Sequence, residues 1–268
     1  MPFFPALRSV SLAELYHKPM KIALLGYGKM GKVIERIATE RGHEIILRAD
    51  ADSIQNLTTE TLAGADVAIE FSAPHAAVAN MQRCFAAGVP VVTGTTGWLA
   101  QLPDVEAACH AANGSLFYSS NFSLGVNLFF RLNKYLAALM QPHTGYRAEV
   151  EEIHHIHKLD APSGTAITLV NGLQQHFTRQ PETKTYMHHG PESTATQELP
   201  VVSIRTDEVP GTHTIRYTSA VDRLSITHEA FSREGFALGA VVAAEWLPGR
   251  KGIFGMDDLL GQAVLPSE

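Results

Sequence analysis

Short apolar segments alternate with stretches of helical periodicity through the first half of the chain. The apolar segments predict β-strands at residues 21–26, 44–49, 65–71, 89–93 and 115–119. The helical stretches follow Gly31 and lie around residues 75–87 and 102–112. Strands that alternate with helices predict a Rossmann-like, doubly wound parallel sheet of the α/β class, with ligands at the carboxyl ends of the strands.

The second half begins with one long helix and then changes pattern. Helical periodicity covers residues 124–140, and short alternating segments follow from Arg147 onwards. The predicted elements are strands at residues 148–157, 200–205, 213–219 and 223–228, and one helix at residues 163–177. Residues 180–197 are polar and rich in turn formers, which predicts a surface loop. This pattern is typical of an α+β domain on a mainly antiparallel open sheet.

An apolar helix at residues 236–247 and a short tail at 249–260 follow, and we expect both to return to the first domain. We therefore predict a dinucleotide-binding domain at residues 20–126, completed by residues 236–268. Residues 127–235 are predicted to form a substrate-binding and oligomerisation domain. Residues 1–19 are treated as an atypical N-terminal extension. They have no continuous apolar core and no small-residue cleavage site, which argues against a secretory signal.

A glycine-rich loop follows the first predicted strand. The run Gly26-Tyr27-Gly28-Lys29-Met30-Gly31 has the GxGxxG spacing, with a strand before it, a helix after it and Asp50 about 20 residues on. In this context the free N–H groups of the helix start attract a pyrophosphate, and Asp50 accepts from a ribose hydroxyl. The alternative is a glycine-rich turn without a ligand. Lys29 and Arg48 are either charges that offset the repulsion between Asp50 and a 2′-phosphate or ordinary solvated surface charges, so the sequence leaves both NADH and NADPH open.

Three imidazoles and an ammonium precede a second helix start. Strand alternation puts His154 and Lys158 on one face and His155 on the other, so one small ligand meets both His154 and Lys158 only if the chain curves. The turn at residues 160–162 is expected to supply that curve. Pro162 starts the helix, and Ser163, Gly164 and Thr165 then lie where backbone N–H groups lack helical acceptors.

Three interpretations of this run compete. Exposed strand histidines are the ordinary one, and a metal site is another, although the histidines alternate faces and no carboxylate or cysteine pattern joins them. The favoured one is catalytic: proton donors beside a cradle for a small, doubly charged anion. We therefore predict no metal.

Composition and charge narrow the partners and the compartment. The net charge is −6, which argues against nucleic acid as a partner, because binding phosphates needs clustered Lys and Arg. No apolar run approaches the roughly 20 residues of a membrane span, so no membrane partner is expected. Cys84 and Cys109 make no metal-ligand pattern. They are interpreted as reduced core residues of a cytoplasmic protein.

Several longer motifs resemble one enzyme family. The matching segments are Gly26 to Gly31, Gly94-Thr95-Thr96-Gly97, Asn121 to Asn127, Glu152 to Ala166, Arg223 to His228 and Gly252 to Asp258. They are similar to the 4-hydroxy-tetrahydrodipicolinate reductase (dihydrodipicolinate reductase) family of the diaminopimelate route to lysine. The resemblance covers nearly everything from Met20 onwards, and the histidine-to-Pro-Ser-Gly-Thr segment is its most specific part.

The resemblance implies roles for individual residues. The residues that border the cofactor are the loop Gly26, Tyr27, Gly28, Lys29, Met30 and Gly31, then Asp50, Gly94, Thr95, Thr96, Ser119, Ser120, Asn121 and Phe122. Phe71 is a further ring-packing candidate, with an ordinary core phenylalanine as the alternative. His154 matches the family's proton donor and acceptor, and Lys158 its proton donor. The substrate carboxylates are expected at His155, Gly164 and Thr165.

The implied activity is an NAD(P)H-dependent reduction of 4-hydroxy-tetrahydrodipicolinate, via dihydrodipicolinate, to tetrahydrodipicolinate. The implied assembly is a homotetramer built through the sheets of the second domain. Two alternatives stay open at this point. One is another two-domain Rossmann oxidoreductase, and the other is a nucleotide-sensing protein without catalysis.

Overall fold

The structure is a computed structural model that describes residues 18–53, 56–191, 197–232 and 234–261. It divides into two compact units. One comprises the described residues up to Ser120 and from Ala240 onwards, and the other is Asn121–Gly239. The predicted N-terminal extension lies outside the described residues apart from Lys18 and Pro19.

The strands in chain order are β1 Lys21–Leu25, β2 Glu44–Ala49, β3 Val67–Glu70, β4 Val91–Thr93, β5 Ser115–Tyr118, β6 Arg147–His154, β7 Glu182–Met187, β8 Glu198–Arg205, β9 Thr212–Thr218, β10 Arg223–Glu229 and β11 Gly252–Phe254. The α-helices are α1 Lys29–Glu40, α2 Thr59–Leu62, α3 Pro74–Ala86, α4 Leu102–Ala111, α5 Leu124–Met140, α6 Gly164–Gln174, α7 Glu234–Trp246 and α8 Met256–Leu260.

The first unit contains a six-stranded sheet in the order β11-β5-β4-β3-β1-β2. All of its pairings are parallel. β3 and β4 are buried along their whole length, as expected for strands covered on both faces. The chain leaves β1 towards β2 on one side and returns to β3 on the other. The carboxyl ends of β1 and β3 therefore form the topological switch point, where such sheets bind ligands.

The second unit contains a five-stranded sheet in the order β10-β9-β6-β8-β7. The predicted fold class is confirmed, with a mixed pairing in this sheet. β9 is antiparallel to β6 and β10, whereas β8 is parallel to β6 and β7. One face of β6 alternates strictly into the core, where Ala148 and Val150 pack with residues of α5 and α6.

Two predictions for this unit are wrong, one about the end of a strand and one about a loop. The strand expected at residues 148–157 ends at His154, because the chain turns directly afterwards at Ile156 and His157. The loop expected at residues 180–197 contains β7. That strand lies at the edge of the sheet and is mostly exposed, so its composition is polar and gives no apolar periodicity.

None of the helices in the described part of the chain combines the length and hydropathy that a bilayer span requires.

The close approach of α7 to the chain at Phe122 yields a stability prediction. A Cβ at Gly239 would lie 1.7 Å from the backbone oxygen of Phe122, whereas one at Gly235, on the same helix, would lie no closer than 3.6 Å to its nearest neighbour. We expect Gly239→Ala to lower the free energy of unfolding by about 2 kcal/mol or more, because the backbone must move. Gly235→Ala, the control, should stay within about 1 kcal/mol of the original chain. Urea unfolding of both variants checks this, and equal stabilities would show that the contact is not tight.

Candidate active site

The glycine loop after β1 is shaped by close backbone contacts. Gly26 has φ +102°, and a Cβ there would lie 2.1 Å from the backbone oxygen of Phe71. A Cβ at Gly31 would lie 2.3 Å from the oxygen of Gly26. Both positions therefore require glycine.

Gly28 lies at the start of α1 and faces open space. It is the N-cap of α1, no side chain caps the helix, and a Cβ at this residue would meet nothing within 4 Å. The N–H groups of the first turn have no helical acceptors, so the loop has both the donors and the room that a pyrophosphate needs.

A cavity of about 350 Å³ opens beside this loop. Its lining brings together seven of the predicted cofactor residues with two more, and these are Gly28, Lys29, Met30, Phe71, Gly94, Thr95 and Thr96 with Ser72 and Pro74. Phe71 is half-buried and lines the cavity, so it is not an ordinary core residue. A Cβ at Gly94 would lie 2.2 Å from the ring of Phe71, so glycine is required for that ring to pack there.

The ends of β3 and β4 are tied together by Glu70, which the sequence analysis did not single out. Its fully buried carboxylate accepts hydrogen bonds from Thr93 Oγ1 at 2.5 Å, from the backbone N of Ser72 at 3.1 Å and from the Ser72 hydroxyl. The Ser72 N–H also donates to Thr95 Oγ1 at 2.8 Å. This network fixes the loops that line the cavity.

Asp50 and its charged neighbours lie beyond the end of β2. Asp50 is exposed, and its Oδ1 accepts from the Ser53 hydroxyl and from the backbone N–H groups of Asp52 and Ser53. The hydrogen bonds from Ser53 hold the pKa of Asp50 below its ordinary value. Arg48 is engaged elsewhere, because its Nε donates to Glu35 Oε1 at 2.9 Å. Tyr27 donates its hydroxyl proton to the same carboxylate.

The four predicted residues after β5 fall on both sides of the division between the units. Ser119 and Ser120 end a segment of the first unit, whereas Asn121 and Phe122 begin the second. Asn121 Oδ1 accepts from Ser123 N at 2.9 Å, near the start of α5. Phe122 is 2% exposed, so its side chain is a core residue.

The second cluster of interest is built on the inward face of β6, where a carboxylate is completely buried. Glu152 is 0% exposed, and its Oε1 accepts from Ser203 Oγ at 2.7 Å, Arg205 Nη2 at 2.9 Å and the backbone N of Ser163 at 3.1 Å. Burial favours the neutral acid, yet the adjacent His154 ring and the hydrogen bonds from Ser163, Arg205 and Ser203 together hold the pKa of Glu152 well below its ordinary value. The carboxylate is therefore ionised at neutral pH.

Two imidazoles lie beside that carboxylate. His154, at the end of β6, is 8% exposed and has its Nδ1 3.0 Å from Glu152 Oε2. The ring of His213, from β9, meets that of His154 edge-on with centroids 5.0 Å apart, and its Nε2 lies 3.1 Å from Ser163 Oγ. Burial, and then the neighbouring His154, lower the pKa of His213 to about 3, so His213 is neutral.

The chain curves immediately after His154, earlier than the sequence analysis expected at residues 160–162. The Lys158 N–H donates to the His155 carbonyl at 3.1 Å, and this bond closes the turn. Lys158 Nζ contacts both oxygens of Asp160 at 2.8 Å, and the pKa of Asp160 is lowered by that ammonium. Lys158 also contributes to the lowered pKa of His213. His155 is half-buried, with a buried Nδ1 that has no hydrogen-bond partner among the described residues.

The start of α6 is held by the same carboxylate. Ser163 is the N-cap, and its hydroxyl accepts from Ala166 N at 3.2 Å. This cap engages the N–H group of Ala166, whereas the N–H groups of Gly164 and Thr165 have no acceptor within the helix. Gly164 is exposed, and a Cβ there would meet nothing within 4 Å, so an anion can approach the backbone.

The geometry brings His154, Gly164 and Thr165 into one connected cluster through Glu152 and Ser163. It adds Ser203, Arg205 and His213, which the sequence analysis missed because they lie on other strands. His157, by contrast, is 69% exposed and lies 3.2 Å from Glu208 on the surface.

Glu152, His154 and His213 also meet the spacing of a metal site, with donor atoms within 4.8 Å of one another. Three donors already occupy one oxygen of Glu152, and His213 faces Ser163. We therefore interpret the cluster as a hydrogen-bonded acid–base network.

The first unit has a glycine-rich loop of the phosphate-binding type on a parallel sheet. The second unit has an imidazole–carboxylate pair beside a helix start. Together these features define the class of two-unit Rossmann-type oxidoreductases. Comparison with known proteins narrows this class. The family model for the N-terminus of dihydrodipicolinate reductase matches residues 20–122, and that for its C-terminus matches residues 125–260. The chain belongs to the dihydrodipicolinate reductase family.

Individual relatives agree with this assignment. The 4-hydroxy-tetrahydrodipicolinate reductase of Christiangramia forsetii is 48% identical, over 90% of this chain and 98% of the relative. That of Neisseria meningitidis serogroup B is 32% identical, over 91% and 98% respectively. Among solved structures, a dipicolinate-bound dihydrodipicolinate reductase from Paenisporosarcina has the same fold, with a TM-score of 0.72 and 21% identity over 89% of this chain and 98% of that one.

The buried imidazole of His213 makes stability depend on pH. An unfolded histidine binds a proton below about pH 6.5, whereas folded His213 does so only near pH 3. The unfolded state therefore binds more protons between these values, and stability falls as the pH drops from 6.5 towards 3. Between pH 6.5 and 5, we expect the free energy of unfolding of His213→Gln to fall by about 1–2 kcal/mol less than that of the original chain.

Urea unfolding at both pH values measures this difference. His110→Gln, which changes an exposed histidine of α4, is the control and should keep the original pH dependence. If the stability of His213→Gln depends on pH as that of the original chain does, folding does not lower the pKa of His213.

Proposed function

We propose that this chain reduces 4-hydroxy-tetrahydrodipicolinate, via dihydrodipicolinate, to tetrahydrodipicolinate with NADH or NADPH, in the diaminopimelate route to lysine. The observation that carries the proposal is the linkage of an imidazole to the start of α6 through one buried carboxylate. This linkage sets a proton donor beside an anion cradle, as a cyclic imine with two carboxylates requires.

The first unit holds the dinucleotide. The first-turn N–H groups of α1 bind its pyrophosphate, and Asp50 accepts from the adenosine ribose. Phe71, Gly94, Thr95 and Thr96 line the cavity beside that loop. When bound, the nicotinamide supplies the hydride for the reaction.

The second unit holds the substrate. The N–H groups of Gly164 and Thr165 bind one carboxylate, with the positive end of the α6 dipole behind them. His155 contributes its imidazole to the carboxylates, and its unpartnered buried nitrogen is suited to that role. A dianion is favoured here because the donors are fixed before it arrives.

His154 and Lys158 deliver the proton. Addition of hydride to the conjugated ring leaves negative charge that a positioned acid must neutralise. His154 is held against Glu152 at the strand end, and Lys158 lies on the turn that follows. The ammonium also stabilises the charge as it develops.

A cysteine-dependent dehydrogenase mechanism is not favoured. Burial raises the pKa of Cys84 to about 12 and also raises that of Cys109, so neither sulfur is a thiolate at neutral pH. Both cysteines are buried and free, which supports our proposal that the protein works in the cytoplasm.

We also propose that the chain assembles as a homotetramer through the sheet of the second unit. Leu224 on β10 and Met187 on β7 are exposed apolar residues of that sheet, and burial of such residues favours association.

The role of Lys158 is tested by Lys158→Ala. We expect kcat to fall by about 10²-fold or more, because a charged proton donor is lost, while the Kd for the dinucleotide is unchanged because Lys158 is not part of the loop that binds it. Lys134→Ala, an exposed lysine of α5, is the control. Turnover is followed as loss of nicotinamide absorbance with freshly generated substrate. Undiminished turnover in Lys158→Ala would exclude Lys158 from proton transfer.

The choice of dinucleotide is tested at Asp50. We expect Asp50→Ser to raise kcat/KM for NADPH relative to NADH by about tenfold, because the carboxylate that repels a 2′-phosphate is gone. The neighbouring Asp52→Ser, also exposed, is the matched control and should leave the ratio unchanged. An unaltered ratio in Asp50→Ser would remove Asp50 from the ribose site.

A further inference from the structure

The two oxygens of Glu152 have different surroundings. Oε1 is saturated by donors from Ser163, Ser203 and Arg205. Oε2 is equally buried, has no standard hydrogen bond, and lies 3.0 Å from Nδ1 of His154. That Nδ1 is likewise buried and has no standard hydrogen bond of its own. Each is thus the natural partner of the other.

We propose that Glu152 is a positioning residue that selects the tautomer and orientation of the proton donor His154. The proposal rests on the function proposed above, and it adds a residue to which no role was assigned from the sequence. An ionised carboxylate only accepts hydrogen bonds, so the proton of a neutral His154 belongs on Nδ1. Nε2 is then the nitrogen that takes up a proton to form the imidazolium and gives that proton to the substrate, which returns the ring to its neutral Nδ1–H form.

The residue beside Nε2 is a glycine, so no side chain from this position covers the nitrogen. A Cβ at Gly211 would lie 3.0 Å from His154 Nε2, and Gly211 has φ +154°, so a side chain is excluded there. The Nδ1 to Oε2 distance of 3.0 Å is within the range of an N–H···O hydrogen bond.

A purely structural role for Glu152 is the competing explanation, because the same carboxylate also anchors the start of α6 through Ser163. Glu152→Gln separates the two roles. The amide oxygen of glutamine still accepts from Ser163, Ser203 and Arg205. Its NH₂ group then faces His154 and donates, which forces the ring proton onto Nε2.

The effect of replacing Glu152 depends on which other charged and titratable groups lie around His154. Arg205 from β8 and His213 from β9 face Glu152, Lys158 and Asp160 follow on the turn, and His228 from β10 is close enough to influence His213. Since His213 is neutral, Glu152 is the anion nearest to His154. Its replacement by an amide disfavours the imidazolium.

The first test is kinetic. We expect Glu152→Gln to lower kcat by about 10²–10⁴-fold, the scale seen when a catalytic imidazole is held in the wrong tautomer, with KM for the substrate changed less than fivefold. The alkaline limb of the kcat profile should move to lower pH. Glu151→Gln makes the same chemical change on the outer face, where Glu151 pairs with Arg216 at 2.6 Å, and should leave kcat unchanged.

The second test does not depend on activity. Long-range ¹H–¹⁵N correlation spectra of histidine-labelled protein report which nitrogen of His154 carries the proton. We expect Nδ1–H in the original chain and Nε2–H in Glu152→Gln, at a pH where the ring is neutral. Nε2–H in the original chain overturns the proposal even if the variant does not fold. A large loss of kcat with an unchanged tautomer overturns it too.

Failure of the proposed function gives a different result. In that case the original chain would not oxidise the dinucleotide with the substrate, whereas the tautomer of His154 would still be measurable.

Discussion

The second unit is organised around a carboxylate that water does not reach. Removing an ionised carboxylate from water costs several kcal/mol unless donors replace the lost hydration. Glu152 meets that requirement with donors from α6 and β8 and with the ring of His154. The same contacts fix where α6 starts and how His154 is oriented. The electrostatic requirement of one buried group therefore sets the positions of the others.

Strand register makes this arrangement available. Glu152 is paired with Ser203 on β8 and with His213 on β9, and His154 is paired with Arg205. Side chains of directly paired residues lie on the same face of a sheet, so both neighbouring strands present polar groups to the carboxylate. A slip of one residue would turn these side chains to the opposite face and leave Glu152 without donors.

The sequence predicted those features that depend on local spacing. The glycine loop follows directly from its motif and context, and α5 has the predicted bounds of Leu124 and Met140. A helix start follows from the Pro-Ser-Gly-Thr segment, but α6 begins at Gly164 and Ser163 is its N-cap, with its own N–H bonded to Glu152. Pairings between distant strands are not encoded in local spacing, so Ser203 and His213 were not predicted. β7 was missed because an exposed edge strand lacks the apolar alternation by which strands are recognised.

The salt bridge between Lys158 and Asp160 has a consequence for selectivity. The ammonium of Lys158 is already paired, because both carboxylate oxygens of Asp160 lie 2.8 Å from its Nζ. The pair is only partly shielded from water, so little free energy separates its closed and open forms. If Lys158 meets the substrate as proposed, the incoming acid exchanges places with Asp160, and a weakly charged metabolite gains little by doing so. On that proposal, the turn favours ligands of high negative charge, because only they replace Asp160 at the ammonium with a gain in free energy.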